Sequence, residues 1–145
     1  MVVDHNVRAR EALLGALGRA GYHGEGVGDV FSALARSVEA PPRVVVAELC
    51  MPDASGLQLL RAMRERGVNA PVVFLARGET RDMCTCASVY GAEACLPRPI
   101  VMDDLVWTIE RALARLDNAD LPPTRPQVKQ RRRWWAPAPR EAWAP

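Results

Sequence analysis

Near the carboxyl end of the chain, Arg131-Arg132-Arg133 runs directly into Trp134-Trp135, with Arg125 and Arg140 on either side. Arginine carries a planar fork that pairs bidentately with phosphate, or with O6 and N7 of guanine. Its flat face stacks on a base, and the indole of tryptophan does the same. A ligand that combines guanine rings with phosphates suits this set. Nucleic acid is one such ligand, and a guanine-nucleotide second messenger is another. Gln127, Val128 and Gln130 lie between the arginines and offer amide or backbone contacts. The plainer alternative is a solvated basic tail, because 18 of the 19 basic residues in the chain are arginine and the habit is general.

Charge divides the chain at this point. Residues 1–120 carry 13 Arg against 16 Asp and Glu, a formal −3, while residues 121–145 carry five Arg and one Lys against one Glu, a formal +5. Three of the four tryptophans, at 134, 135 and 143, also fall in the second part. Pro126, Pro137 and Pro139 disfavour a long helix and stiffen the segment. A stretch of this composition buries too little apolar surface to fold alone, so a tail over 118–145 is expected to be disordered until a ligand orders it. The remainder, 1–117, is long enough for one domain.

Other chemistry is sparse. Cys50, Cys84, Cys86 and Cys95 fit no paired framework. Two thiols at 84 and 86 cannot complete a zinc site, and His5 and His23 have no finger spacing. No metal site is expected, and no Ser/His/Asp or Cys/His set supports an enzyme. With no signal peptide and no apolar run of membrane-spanning length, the reading is a reducing, cytoplasmic setting with free and mostly buried thiols.

The elements that must position these groups alternate. Met1–Asp4 is a short apolar run ending in an acid. Arg8–Ala20 has apolar residues at helical spacing and stops at Gly21. A weak strand over His23–Val27 precedes a helix over Val30–Glu39 that Asp29 can cap. Arg43–Leu49 and Pro71–Ala76 are continuously apolar at their centres, as strands covered on both faces are. Helices over Leu57–Arg66 and Thr80–Tyr90, a strand over Glu93–Leu96 and a last helix over Asp103–Leu116 complete the pattern. Five strands joined through five helices predict an α/β fold with a parallel sheet and helices on both faces. Ligand sites in such sheets lie at the carboxyl ends of the strands, which here are Asp4, Glu48, Ala76 and Leu96.

These residues carry a resemblance. Val-Val-Asp at the end of the first strand is similar to a response-regulator receiver domain (CheY-like, flavodoxin-like), as are Val45-Val46-Ala47-Glu48 with Met51-Pro52…Gly56-Leu57 and Gly91-Ala-Glu-Ala-Cys-Leu-Pro-Arg98-Pro. A working receiver accepts a phosphoryl group on an Asp, with an acid pair for Mg²⁺, a Ser or Thr and a Lys. Here the acid pair is Asp4 with His5, the acceptor position holds Glu48, the hydroxyl position Ala76 and the lysine position Arg98. The aromatic switch position holds Cys95. Only Asp4 matches. Imidazole is a poor ligand for Mg²⁺, and Glu48 carries its carboxylate one methylene too far for in-line attack. The resemblance therefore implies a pseudo-receiver with a degenerate phosphorylation site, an Arg98 ion pair with Glu48 and Asp4, and a cis Arg98–Pro99 bond. Whether Glu48 mimics a phosphorylated acceptor or is a structural partner stays open.

A degenerate receiver with an Arg- and Trp-rich extension further resembles the Cle family of CheY-like cyclic di-GMP effectors. That resemblance implies cyclic di-GMP, stacked as an intercalated dimer, on Arg125, Gln127, Val128, Gln130, Arg131, Arg132, Arg133, Trp134, Trp135 and Arg140. It also implies docking on a flagellar motor switch protein at the flagellar pole, with effects on motility and surface attachment, no membrane insertion and no need for nucleic acid. The alternatives are a nucleic-acid-binding regulator and a phosphorylation-dependent response regulator.

Overall fold

In the computed structural model, residues 1–77 and 81–118 are described. The chain alternates β1 (Val2–Val3), α1 (Val7–Arg19), β2 (Gly26–Val27), α2 (Val30–Glu39), β3 (Val45–Glu48), α3 (Gly56–Glu65), β4 (Val72–Ala76), α4 (Arg81–Val89), β5 (Ala94–Pro97) and α5 (Met102–Leu116). The strands form one parallel sheet in the order β2-β1-β3-β4-β5. This is the expected five-stranded α/β architecture. The boundary placed at 117/118 falls at the edge of the described residues.

Strand alternation splits the core in two, because successive side chains point to opposite faces. Val3, Val45, Ala47, Val72 and Phe74 pack with Leu59, Leu60 and Met63 of α3 and with Val30 and Ala33 of α2. Val2, Val46, Val73, Leu75 and Leu96 pack with Leu13 and Leu17 of α1 and with Leu105 and Ile109 of α5. The central strands are buried throughout, which is why β3 and β4 read as unbroken apolar runs.

Several bounds differ from the sequence expectation. β1 and β2 shorten to two residues each. His23 and Gly24 bring no apolar side chain to the sheet, and Glu25 contributes only its carbonyl, which accepts from the Val2 amide at 2.9 Å. β5 runs one residue further, to Pro97, whose partner on β4 is Ala76.

The cysteine reading needs a larger correction. Cys84 of α4 and Cys95 of β5 are disulfide-bonded, with Cα atoms 5.7 Å apart. Cys50 and Cys86 are exposed rather than buried. Sequence spacing gave no sign of the pair because α4 packing on the sheet, and not proximity along the chain, brings the two together.

Local chemistry fixes the helix starts nearest the strand ends. Asn6 caps α1, its side chain accepting from the Ala9 amide at 3.0 Å. Ser55 and Gln58 form a reciprocal capping box on α3. Gly56 opens that helix, and a Cβ there would sit 2.5 Å from the Phe74 ring and 2.9 Å from the Glu48 carbonyl. Gly56→Ala is expected to destabilise the domain by about 1–3 kcal/mol, read as a lower urea midpoint with an unchanged slope.

Asp29 caps α2, its carboxylate accepting from the Ser32 amide and hydroxyl, each at 2.7 Å. Those bonds lower its pKa below the ordinary aspartate value. A lowered carboxyl pKa stabilises the fold above the unfolded value, roughly pH 4, and the contribution disappears as pH falls through the folded value. Asp29→Ala is expected to cost about 1 kcal/mol at pH 7. The gap between variant and parent in thermal melts should close on acidification below about pH 4.

Candidate functional site

Asp4 and Glu48 leave the carboxyl ends of adjacent strands. Val3 of β1 pairs with Ala47 of β3, so the next residues along, Asp4 and Glu48, lie side by side. Both are almost fully buried, at 2% exposure each. Two carboxylates so placed repel, and burial removes the water that would screen them.

Arg98 resolves this. It follows β5, and its guanidinium reaches past the end of β4 to both acids. Nε donates to Glu48 Oε2 at 2.8 Å, and Nη2 donates to Asp4 Oδ2 at 2.8 Å. Nη2 also lies 2.8 Å from Glu48 Oε2. The Arg98 backbone is fixed by its amide, which donates to the Ala76 carbonyl at 2.8 Å, and it precedes a cis bond to Pro99. The ion pair and the cis bond both match the sequence expectation.

The surrounding bonds hold Asp4 in place. The Asn6 amide donates to Asp4 Oδ1 at 2.8 Å, and Arg10 Nη1 donates to the Asp4 carbonyl at 2.6 Å. His5 sits outside this network, with its side chain 40% exposed and Nδ1 3.8 Å from Asp4 Oδ1. Ala76 is buried at the end of β4 and presents a methyl group where a hydroxyl would be needed to hold a phosphoryl oxygen.

The residues here do not fit a divalent cation. One oxygen of each carboxylate is engaged by Arg98, one Asp4 oxygen also takes a backbone amide, and the neighbouring side chain is an imidazole at the rim. Among the described residues no group of three or more His, Cys, Asp or Glu is placed to hold a metal ion.

The sequence pattern of the response regulator receiver domain matches residues 1–110. The chain belongs to that family. The chain is 30% identical over 128 residues to response regulator MprA of Mycobacterium sp. (strain KMS), covering 88% of this chain and 55% of that protein. It is 31% identical over 124 residues to the DNA-binding transcriptional regulator NtrC of Salmonella typhimurium, covering 83% of this chain and 26% of that protein. The chain thus spans about half the length, or less, of these curated relatives. Among solved structures, a receiver domain protein from Clostridium thermocellum superimposes with a TM-score of 0.77 at 23% identity, over 81% of this chain and 94% of that one. Chemotaxis protein CheY4 of Vibrio cholerae gives 0.68 at 27% identity, over 77% and 95%.

Of the strand-end residues singled out from sequence, the fold brings Asp4, Glu48, Ala76 and Arg98 together and leaves His5 at the rim. Arg125, Gln127, Val128, Gln130, Arg131, Arg132, Arg133, Trp134, Trp135 and Arg140 lie outside the described residues. Three residues were missed. Asn6 and Arg10 clamp Asp4, and Asp53 Oδ2 accepts from the Val30 amide at 2.8 Å, tying the loop after β3 to the start of α2. Asn6 stands directly before a helical pattern and carried a legible capping signal. Asp53 carried none, because its partner is 23 residues away.

Arg98→Met leaves two buried carboxylates facing each other without a counter-charge. The expected loss is about 3 kcal/mol or more at pH 7, measured by urea unfolding.

Proposed function

We propose that this receiver domain works without phosphoryl transfer, as a preassembled docking platform whose input is cyclic di-GMP bound by the tail. The observation that supports the first half is the Arg98 bridge. A guanidinium already bonded to Asp4 and Glu48 occupies the place where an incoming phosphoryl group and its cation would have to enter. Glu48 displaces the acceptor oxygens by one methylene, and Ala76 supplies no hydroxyl. Glu48 is one partner of a structural ion pair, and it brings neither the second charge nor the third oxygen of an acyl phosphate.

The second half rests on the chemistry of the tail. Arg125, Arg131, Arg132 and Arg133 would divide between guanine edges and phosphates, and Trp134 or Trp135 would cover an outer guanine face. Gln127, Val128, Gln130 and Arg140 would complete the contacts. By family analogy the face of α4, β5 and α5 meets the partner, a flagellar motor switch protein at the flagellar pole, where a non-enzymatic effector tunes motility and surface attachment. A nucleic-acid-binding regulator is the second reading, since the same arginines serve phosphates of any source.

Cyclic di-GMP titrated by calorimetry into the full chain should bind. Binding should be lost in Arg131→Ala/Arg132→Ala/Arg133→Ala and in a chain ending at Asp120. Equal binding to the truncated chain would move the site into the receiver domain. Absence of binding to any form, with salt-sensitive binding of DNA instead, would favour the second reading. Separately, acetyl phosphate with Mg²⁺ should leave the intact mass and the tryptophan fluorescence unchanged. A mass gain of one phosphoryl group would end the phosphorylation-independent reading.

A further inference from the structure

The Cys84–Cys95 bond joins a helix and a strand that pack directly on one another. Cys84 lies in the middle of α4 and is 4% exposed, and Cys95 is the second residue of β5, paired with Phe74 of β4, and is 9% exposed. Among the described residues of α4, only Cys84 and Ala87 are buried hydrophobics. The helix ends in exposed Val89, and Tyr90 just after it is exposed too. The disulfide thus sits at one of the two buried positions among the described residues of this helix.

The bond also borders a cavity. Both cysteines line a cavity of about 470 Å³ bounded by α4, β5 and α5, along with Ser88, Trp107, Thr108 and Arg111. Cys84 and Cys95 are only 11 residues apart in sequence, so their bond closes a short loop and constrains the unfolded chain less than a long-range bridge would. A small thiol that enters this cavity meets the bond there. Cys86 does not compete for Cys84, because residues two apart on a helix point in different directions.

We infer that Cys84 and Cys95 are a reversible thiol–disulfide pair, entered through this cavity by a low-molecular-weight disulfide of the glutathione class, that sets how firmly α4 is held on β5. In the forward direction one cysteine thiolate attacks a sulfur of oxidised glutathione. The glutathione S–S bond breaks, a mixed disulfide forms and one glutathione thiolate leaves. The second cysteine thiolate then attacks the protein sulfur of the mixed disulfide, forming the Cys84–Cys95 bond and expelling the second glutathione. The two protons from the cysteines end on the two released thiols. Two protein thiols are oxidised and one glutathione disulfide is reduced. Excess reduced glutathione runs the same steps backwards. In the dithiol form α4 keeps Ala87 and the turn at Gly91 but loses its covalent tie, and local opening becomes more frequent. This inference is independent of the ligand assigned to the tail.

The test uses the full chain and a full-length Cys50→Ser/Cys86→Ser variant, in which only the pair remains. Each is equilibrated across ratios of reduced to oxidised glutathione, quenched in acid, alkylated and mapped by mass spectrometry. The same samples are followed by amide hydrogen exchange. The expected result is smooth interconversion between the dithiol and the 84–95 link in both proteins. Exchange across α4 should be slower by about tenfold or more in the linked form, with β3 and β4 little changed. Three results would overturn the inference: a pair that stays reduced at every ratio, a bond that reduced glutathione never opens in the folded protein, or interconversion that leaves α4 exchange untouched. The parent chain carries the test if the variant does not fold.

Discussion

Two buried acids at the ends of neighbouring strands are tolerable only with a cation between them, and Arg98 is that cation. β1 and β3 run parallel and in register, so Asp4 and Glu48 emerge side by side with 2% exposure each. Without a guanidinium, ionising both would carry a heavy desolvation penalty and mutual repulsion. The planar fork of arginine suits this task better than an ammonium would, since Nε and Nη2 can each donate along its own direction. The bridge links segments that follow β1, β3 and β5, so it fastens three strand ends with one side chain.

What lies around the bridge serves the same placement. Arg10 and Asn6 hold Asp4 from the first helix. Gly56 lets α3 start against Phe74 and the Glu48 carbonyl, where any side chain would intrude. Asp53 ties the intervening loop to α2. The site is therefore rigid because each acid is fixed through backbone as well as side chain. Such rigidity suits a platform better than a group that must be modified and then report the change.

The β5 edge of the sheet is held differently. Among its described residues α4 buries Cys84 and Ala87, and Cys84 is bonded to β5. On α5, Arg111 lies 5.2 Å from the centroid of the Trp107 ring, and Arg115 pairs with Glu93. The β5 edge thus combines a covalent tie, a cation–π contact and an ion pair around one cavity, while the carboxyl ends of β1 and β3 rely on buried charge.

The sequence alone determined the alternation of elements, because unbroken apolar runs such as Val45–Ala47 and Val72–Leu75 have meaning only as strands covered on both faces. It also showed Glu48, Ala76 and Arg98 at the strand ends where the receiver pattern calls for Asp, Ser or Thr, and Lys. It placed five of the chain's arginines and three of its four tryptophans in one basic stretch. Tertiary structure decided what the sequence pattern could not encode. The lengths of β1 and β2 were set by which backbone groups found partners. The Asp53 bond to Val30 spans 23 residues. The pairing of Cys84 with Cys95 depended on how α4 settles on its strand, and spacing along the chain carries no information about that.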